Sequence, residues 1–156
     1  QLSAYHAMAA EIWSQAGGGI DAFVQATGTA ASVRGVAEGL RRHRRDIRIV
    51  AVEPAESAVL SGGKSGVHKI EGAGAGFVVP LWHAGIADEI AAVSTDEAMA
   101  MSRRLAREEA LFAGTSTGAN LVAAIRLGLR LGPDATVVTV MCDTGIKYIS
   151  TTLYAA

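Results

Sequence analysis

The segment 21–52 limits the possible folds of this chain more than any other part of it. Residues 21–26 and 47–52 are two apolar runs of strand length. Between them, apolar residues at i, i+3, i+4 and i+7 predict a helix: Val33, Val36, Ala37 and Leu40. Strands joined by a helix are expected to pair in parallel, since an antiparallel pair needs only a short turn. The segment therefore predicts a βαβ unit.

The rest of the chain continues this alternation of helix and strand. A helix that ends at glycines 17–19 is predicted by an apolar face: Tyr5, Ala9, Ile12 and Trp13. Later segments predict a strand near 89–93, a helix over 95–109 capped at Thr95-Asp96-Glu97, and a buried strand over 136–141. A further helix opens at 114–118, and its expected packing face is Leu121, Ala124, Ile125, Gly128 and Leu129.

These elements favour an α/β fold in which a parallel sheet is covered by helices on both faces, a three-layer domain over residues 1–156. Residues 55–88 are rich in glycine and lack periodicity. A loop of that length inside a compact domain is usually functional. The alternating glycines near its middle suit backbone that passes close to a ligand.

Composition and charge narrow the possible partners. The formal net charge is −1, and the basic run 41–45 falls at a predicted helix end, where cations complement the helix dipole. Neither nucleic acid nor a membrane is therefore expected as a partner, and no apolar run reaches the roughly 18 residues of a membrane span. The single cysteine, Cys142, excludes an internal disulfide and favours a reducing, cytoplasmic location.

The turn at 27–32 is the first candidate site. A strand that turns sharply into a helix presents the unpaired N–H groups of the helix, and these suit a phosphate. The candidate phosphate ligands are Gly28, Thr29, Ala30, Ala31 and Ser32. The alternative is a βα turn without a ligand, in which Ser32 is the helix N-cap.

Two other phosphate motifs fail. A dinucleotide fingerprint requires glycines where this chain has Ala30 and Val33, although Glu53 ends the second strand as a ribose-binding carboxylate would. A nucleotide P-loop ending at Gly63-Lys64-Ser65 would need glycine at position 58, which is Ala58.

Two later loops are expected at the same edge of the sheet. Ser116 opens a helix, where it is expected to be the N-cap and to keep a hydroxyl hydrogen for a ligand. Residues 142–145 follow the last strand, and ligands of open α/β sheets gather outside the carboxyl ends of strands. We therefore expect the loops after Ala26, before Ser116 and after Met141 to share one crevice. Cys142 is interpreted as a packing residue, and the four histidines show no metal spacing.

Five segments together resemble the cysteine synthase and cystathionine β-synthase family, the fold type II pyridoxal-phosphate enzymes. The family patterns are G-T-G-G-T, E-P-x-x-S-x-x-L-S-G-G, H-K-I-x-G-x-G-A-G-F, G-x-S-[ST]-G and S-G-x-[RK]-Y-[LI]-S-T. The matching residues are 28–32, 53–63, 68–77, 114–118 and 144–151, in family order. The third pattern matches without a break and is the most specific.

The resemblance implies roles for these residues. Residues 28–32 would hold the phosphate of pyridoxal 5′-phosphate, Ser116 would hydrogen-bond the pyridine nitrogen, and Gly72 and Gly74 would line the substrate side. It implies β-replacement on an O-activated serine by a sulfur nucleophile, with small-molecule substrates and a homodimeric full enzyme. Two family glycines are replaced by Ala30 and Ala31, and Asp143 stands where many relatives have serine.

The resemblance also implies that catalytic parts are absent from this chain. The family's Schiff-base lysine lies in an amino-terminal region, and none of Lys64, Lys69 and Lys147 lies in its motif. We therefore expect the carboxyl-terminal domain of a larger two-domain enzyme, inactive alone. The alternatives are a cystathionine β-synthase-type enzyme, a serine/threonine dehydratase, which its glycine-poor phosphate loop disfavours, and a non-catalytic module that binds pyridoxal phosphate or a partner.

Overall fold

The computed structural model describes residues 2–154. Its helices are α1 (Leu2–Gln15), α2 (Ala31–His43), α3 (Thr95–Glu108) and α4 (Thr115–Leu131), and its strands are β1 (Ala22–Ala26), β2 (Arg48–Pro54), β3 (Glu89–Val93) and β4 (Val137–Thr139). Short 3-10 helices occupy Ala55–Ser57 and Gly145–Tyr148. The predicted order of helices and strands is confirmed.

The four strands form one parallel sheet in the order β3-β2-β1-β4. Strand β1 pairs with both of its neighbours. Its residue Ala26 lies opposite Val52 of β2, and its residue Val24 lies opposite Thr139 of β4. All strands therefore end at the same edge of the sheet. Helices α2 and α3 follow β1 and β3 from that edge, and loops with short 3-10 helices follow β2 and β4, so the carboxyl edge collects loops that the motifs occupy.

Helices cover both faces of the sheet, which confirms the predicted three-layer α/β fold. Residues that alternate along β1 point to opposite cores: Val24 packs with α3 and α4, and Phe23 packs with α1 and α2. Both side chains are fully buried, as are Val50 and Ile49 on β2. This is why β1 and β2 are apolar throughout instead of alternating with polar residues.

Two expectations about packing were wrong. Ile125 and Leu129 of α4 are exposed, Leu129 by 82%, and the helix packs through Ala123, Ala124 and Leu127 instead. Helix α4 is apolar on several faces, so periodicity alone does not choose between them. Strand β4 is shorter than predicted and only half-buried, because within the described residues it pairs with β1 alone and lies at the edge of the sheet.

The N-cap of α3 is Ser94 rather than the predicted Thr95, which is the first residue of the helix. The Ser94 hydroxyl accepts from the Glu97 N–H, and the Glu97 carboxylate accepts from the Ser94 N–H at 3.0 Å. This reciprocal pair is a capping box, which satisfies the start of the helix with its own side chains.

Residues 58–88 contain neither helix nor strand, as predicted for this region, yet they are not loosely attached. Ile70, Val79 and Ile86 are buried in the two cores. Arg41 of α2 donates to the carbonyl oxygens of Gly85 and Ile86, both at 3.0 Å, so part of the basic run fastens the end of this segment.

A cleft at the carboxyl edge of the sheet

A cleft of about 370 Å³ opens at the carboxyl edge of the sheet, at the starts of α2 and α4. That volume lies within the range of small-molecule sites. The lining residues are Gln25, Ala26, Gly28, Thr29, Ser32, Glu71, Gly72, Ser116, Cys142, Asp143 and Lys147. The structure thus brings the three loops of the predicted crevice together, with residues 71–72 of the glycine-rich segment as a fourth wall.

Helix α2 starts at the cleft without a side-chain cap. Its N-cap is Ala30 in the left-handed conformation, with φ 65° and ψ 0°, and Ala30 has no side chain that could cap the helix. The Thr29 hydroxyl accepts only from the Ala31 N–H, at 3.4 Å. Ser32 is therefore the second helical residue, not the N-cap. No group among residues 2–154 accepts a hydrogen bond from the N–H of Ser32 or Val33. These two donors remain for a ligand.

Gly28 is required by a close approach of two backbones. A Cβ placed on Gly28 would lie 2.2 Å from the carbonyl oxygen of Gly72, which no side chain permits. Removing the side chain at position 28 therefore lets the glycine-rich segment close against the turn. It also leaves the cleft open beside Thr29.

Helix α4 supplies a second uncapped start to the same cleft. Its N-cap is Gly114, which makes no side-chain cap, so Ser116 is the second helical residue and the expectation that it caps the helix is wrong. Ser116 is buried but lines the cleft. The preceding Thr115 accepts from the Glu71 N–H at 3.0 Å, which joins the glycine-rich segment to the start of α4.

An unexpected cluster of polar side chains lies around Cys142, which lines the cleft. Asn120, fully buried on α4, accepts from the Ala26 N–H at 2.6 Å and donates to the Val140 carbonyl oxygen at 3.0 Å. Its amide nitrogen also lies 3.5 Å from the sulfur of Cys142. The amide nitrogen of Gln25 lies 3.6 Å from the same sulfur. Cys142 is exposed, so its interpretation as a packing residue was wrong.

A carboxylate, that of Asp143, also lines the cleft. Asp143 accepts from the Tyr148 hydroxyl at 2.7 Å and from the Lys147 ammonium at 3.0 Å through the same oxygen. Burial, and then the hydrogen bond to Asp143, raise the pKa of Tyr148 well above its usual range, so the phenol stays protonated and remains a donor. The other oxygen of Asp143 is buried without a hydrogen-bond partner among the described residues.

Residues 1–143 match the pyridoxal-phosphate dependent enzyme family. This chain belongs to that family. It is 47% identical over 136 residues to a cysteine synthase of Staphylococcus aureus, a match that covers 87% of this chain and 44% of the relative. The chain thus spans less than half the length of the curated relatives it matches.

Two solved structures have the same fold as this chain. An O-acetylserine sulfhydrylase isoform of Entamoeba histolytica superposes with a TM-score of 0.94 at 39% identity, over 98% of this chain and 46% of that one. An O-acetylserine dependent cystathionine β-synthase of Helicobacter pylori superposes with a TM-score of 0.92 at 33% identity, over 99% of this chain and 50% of that one. The resemblance stated from the motifs is confirmed.

The cofactor of the family, pyridoxal phosphate, fits the chemistry of the cleft. Its phosphate needs donors, and α2 presents unpaired N–H groups beside the Gly28 gap. Its ring nitrogen needs a polar neighbour, and Ser116 lines the same cleft from α4. The donors for the phosphate and the polar neighbour for the ring nitrogen therefore come from the starts of two different helices.

The predicted site residues divide into two groups. Gly28, Thr29, Ser32, Gly72 and Ser116 line the cleft. Ala30, Ala31 and Gly74 do not: the two alanines are buried, Ala30 in the core beneath α2.

Gly74 lies instead in a small cavity on the other side of the turn, where its N–H donates to the Thr27 carbonyl oxygen at 3.1 Å. That cavity, of about 10 Å³, is also lined by Thr27 and Ser57, whose hydroxyls have no hydrogen-bond partner within residues 2–154. The substrate-side role predicted for Gly74 would therefore have to act through the packing of this segment.

Gln25 and Asn120 were not found from the sequence. One signal was available: a glutamine within an otherwise apolar buried strand, one residue before its carboxyl end. Among the described residues there is no group of three or more potential metal ligands. No helix within residues 2–154 has the length and apolarity that a membrane span requires.

Proposed function

We propose that this chain is a single α/β domain, the carboxyl-terminal part of a longer two-domain enzyme of the cysteine synthase type. The full enzyme makes cysteine by β-replacement on an O-activated serine, with sulfide as the nucleophile. The observation that carries this proposal is the meeting of two uncapped helix starts, α2 and α4, in one cleft. The names of the S. aureus and E. histolytica relatives support the reaction.

The start of α2 is the seat of the cofactor phosphate in this proposal. The N–H groups of Ser32 and Val33 and the hydroxyls of Thr29 and Ser32 donate to the phosphate oxygens, and the helix dipole adds a favourable potential. Ala30 and Ala31 contribute backbone geometry only, since their side chains point into the protein core.

Ser116 orients the ring through its hydroxyl. Pyridoxal phosphate, when bound, supplies an electron sink for the bonds at the α-carbon of an amino acid. A hydroxyl at the ring nitrogen does not protonate it as a carboxylic acid would, so the sink is weak. A weak sink suits elimination and addition at the β-carbon, where little charge has to be stored.

The lysine that carries the cofactor covalently is proposed to lie outside this chain, so the chain alone binds the cofactor without turnover. We further propose a homodimeric full enzyme, as the resemblance implies, and a cytoplasmic location, which the single cysteine favours.

The first test separates phosphate binding from ring binding. Equilibrium dialysis of the chain with pyridoxine 5′-phosphate and with pyridoxine is expected to show affinity at least about 30-fold higher for the phosphate ester, because charge-assisted hydrogen bonds contribute about 2 kcal/mol each. NAD and ATP are expected to leave the melting temperature unchanged. Equal affinity for the two vitamin forms would contradict the proposed phosphate seat.

The second test restores the missing part. A chimera that joins the amino-terminal region of the S. aureus cysteine synthase to this chain is expected to release acetate from O-acetylserine only when sulfide is present. Chimeric enzyme that binds pyridoxal phosphate but prefers serine and homocysteine would favour a cystathionine β-synthase activity, as the name of the H. pylori structure suggests. Bound cofactor without turnover of either pair would indicate a non-catalytic module.

A further inference from the structure

Cys142 occupies a position in the cleft that the proposed cofactor contacts do not use. The residue is exposed and lines the cleft, and its thiol is the only one in the chain. Its N–H donates to the Thr117 hydroxyl at 3.0 Å, which ties the residue to the first turn of α4. The thiol is therefore held at a defined place within reach of a small molecule that enters the cleft.

The buried amide of Asn120 has only one possible orientation. Its oxygen accepts from the Ala26 N–H, so its nitrogen must face the Val140 carbonyl oxygen and the sulfur of Cys142. One amide hydrogen serves each acceptor. The sulfur thus has an N–H donor at 3.5 Å, and it also lies 3.6 Å from the Val140 carbonyl oxygen, to which the thiol donates.

Gln25 adds an independent sign of a ligand. It is only 6% exposed, it lines the cleft, and its amide nitrogen is the second donor near the sulfur. Its amide oxygen is buried and has no hydrogen-bond partner among residues 2–154. An unpaired buried acceptor costs about 1–3 kcal/mol, so a ligand that donates an N–H at this point is favoured.

We propose that Cys142 is a thiol–disulfide exchange site for small disulfides that carry an ammonium group near the sulfur. The thiolate attacks one sulfur of the disulfide, a new S–S bond forms with Cys142, and the old S–S bond breaks. The departing thiolate takes a proton from water, and no other oxidant is needed. The ammonium group of the bound half then lies near the Gln25 oxygen and the Asp143 carboxylate.

A mixed disulfide at Cys142 and the cofactor exclude each other, because both occupy the cleft that Ser116 and Thr29 line. This part of the inference rests on the proposed function; the exchange reaction itself does not. Oxidised small thiols would thereby lower the cofactor occupancy of an enzyme whose proposed substrates include a sulfur nucleophile.

The experiment compares two thiols in one protein scaffold. The chain is treated with cystamine, and the mixed disulfide is followed by intact mass. The reference is a Cys142→Ser, Ser14→Cys variant, whose thiol lies exposed on α1, outside the cleft. Cys142 is expected to react about tenfold faster than the reference at neutral pH, because the Gln25 oxygen and the Asp143 carboxylate attract the ammonium group of cystamine into the cleft. The neutral disulfide of 2-mercaptoethanol is expected to lose most of that advantage.

Two variants test the donors. Gln25→Leu is expected to slow cystamine about fivefold and to abolish its advantage over the neutral disulfide. Asn120→Asp keeps the acceptor for the Ala26 N–H but places a negative charge beside the sulfur, so about a tenfold loss is expected. If circular dichroism shows that the buried carboxylate prevents folding of Asn120→Asp, the rate measured for Gln25→Leu alone tests the role of the donors. A reaction at Cys142 no faster than at the reference thiol would overturn the proposal.

Pyridoxine 5′-phosphate is the competitor because it has no aldehyde to react with cystamine. At saturation it is expected to slow labelling of Cys142 by tenfold or more and to leave the reference thiol unaffected. If dialysis shows binding without protection, the exclusion is wrong although the phosphate seat stands. If nothing binds, the proposed function fails, and the labelling rates still decide the exchange site.

Discussion

The start of α3 and the starts of α2 and α4 solve the same problem in opposite ways. Every helix begins with N–H groups that have no partner inside the helix. At α3 the chain satisfies them itself, through the Ser94 and Glu97 capping box. At α2 and α4 the N-caps are Ala30 and Gly114, which have no side-chain acceptor, and both helices open into the cleft. A helix start left without a cap at a cleft is a binding group kept available.

The largest expected effect comes from a substitution in α2 that places a carboxylate where the phosphate is proposed to bind. Ser32→Asp places a carboxylate among the free N–H groups, so affinity for pyridoxine 5′-phosphate is expected to fall about 100-fold while the melting temperature stays equal or rises. The matched change at the capped helix, Ser94→Asp, keeps an acceptor at the N-cap and is expected to leave affinity unchanged. Equilibrium dialysis measures both, and similar losses in the two variants would erase the distinction drawn between the helices.

The capped helix should show the reverse pattern. Ser94→Ala removes the acceptor for the Glu97 N–H, so the free energy of unfolding is expected to fall by about 1 kcal/mol in urea titrations. Affinity for pyridoxine 5′-phosphate should not change, because α3 does not contribute to the cleft. Were affinity to fall as well, the start of α3 would have to be coupled to the cleft.

The two alanines with positive φ offer a finer comparison. Ala110 follows the end of α3, is exposed and has φ 57°, so Ala110→Gly is expected to stabilise the protein by about 0.5–1 kcal/mol. Ala30 has a similar φ of 65° but its methyl group is buried in the core. In Ala30→Gly the lost burial, about 0.8 kcal/mol, offsets the relief of strain, and a change near zero is expected. Thermal unfolding of both variants tests the contrast.

The smallest effect concerns pH. Hydrogen bonds from the Ser94 N–H and hydroxyl, with the nearby Arg126 cation, lower the pKa of Glu97. Stability from a carboxyl whose folded pKa is depressed is complete above its unfolded pKa, about 4.3, and is lost as pH falls through the folded value. Wild type is therefore expected to lose slightly more stability than Glu97→Gln between about pH 6 and pH 3. Parallel urea midpoints across that range would contradict this role of Glu97.

Much of the fold was predictable because it follows from local patterns. The apolar runs that became β1 and β2 and the helix between them were correctly located, and their parallel pairing follows from the connection. Ile125 and Leu129 were assigned to the wrong surface, since a helix with apolar residues on several faces can pack through more than one of them.

The site was predictable only as a set of motifs. The turn at Gly28 and the serine at 116 were recognised because their chemistry and their family patterns are local. The polar cluster around Cys142 was not, because Asn120 reaches a residue that is 94 positions away in the chain and another that is 22 away. Nothing in the neighbouring residues of Asn120 indicates those contacts.

The sequence by itself determined the βαβ order, the apolar strands and the glycine that admits a close backbone approach. Each follows from preferences that act over a few residues: periodicity, side-chain size and backbone freedom. Only the tertiary structure decided which helix starts remain without a side-chain cap and which face of α4 is buried. It also placed the one thiol of the chain beside two side-chain amides. These depend on how strands order themselves in the sheet, and that order brings together groups whose separation along the chain carries no signal.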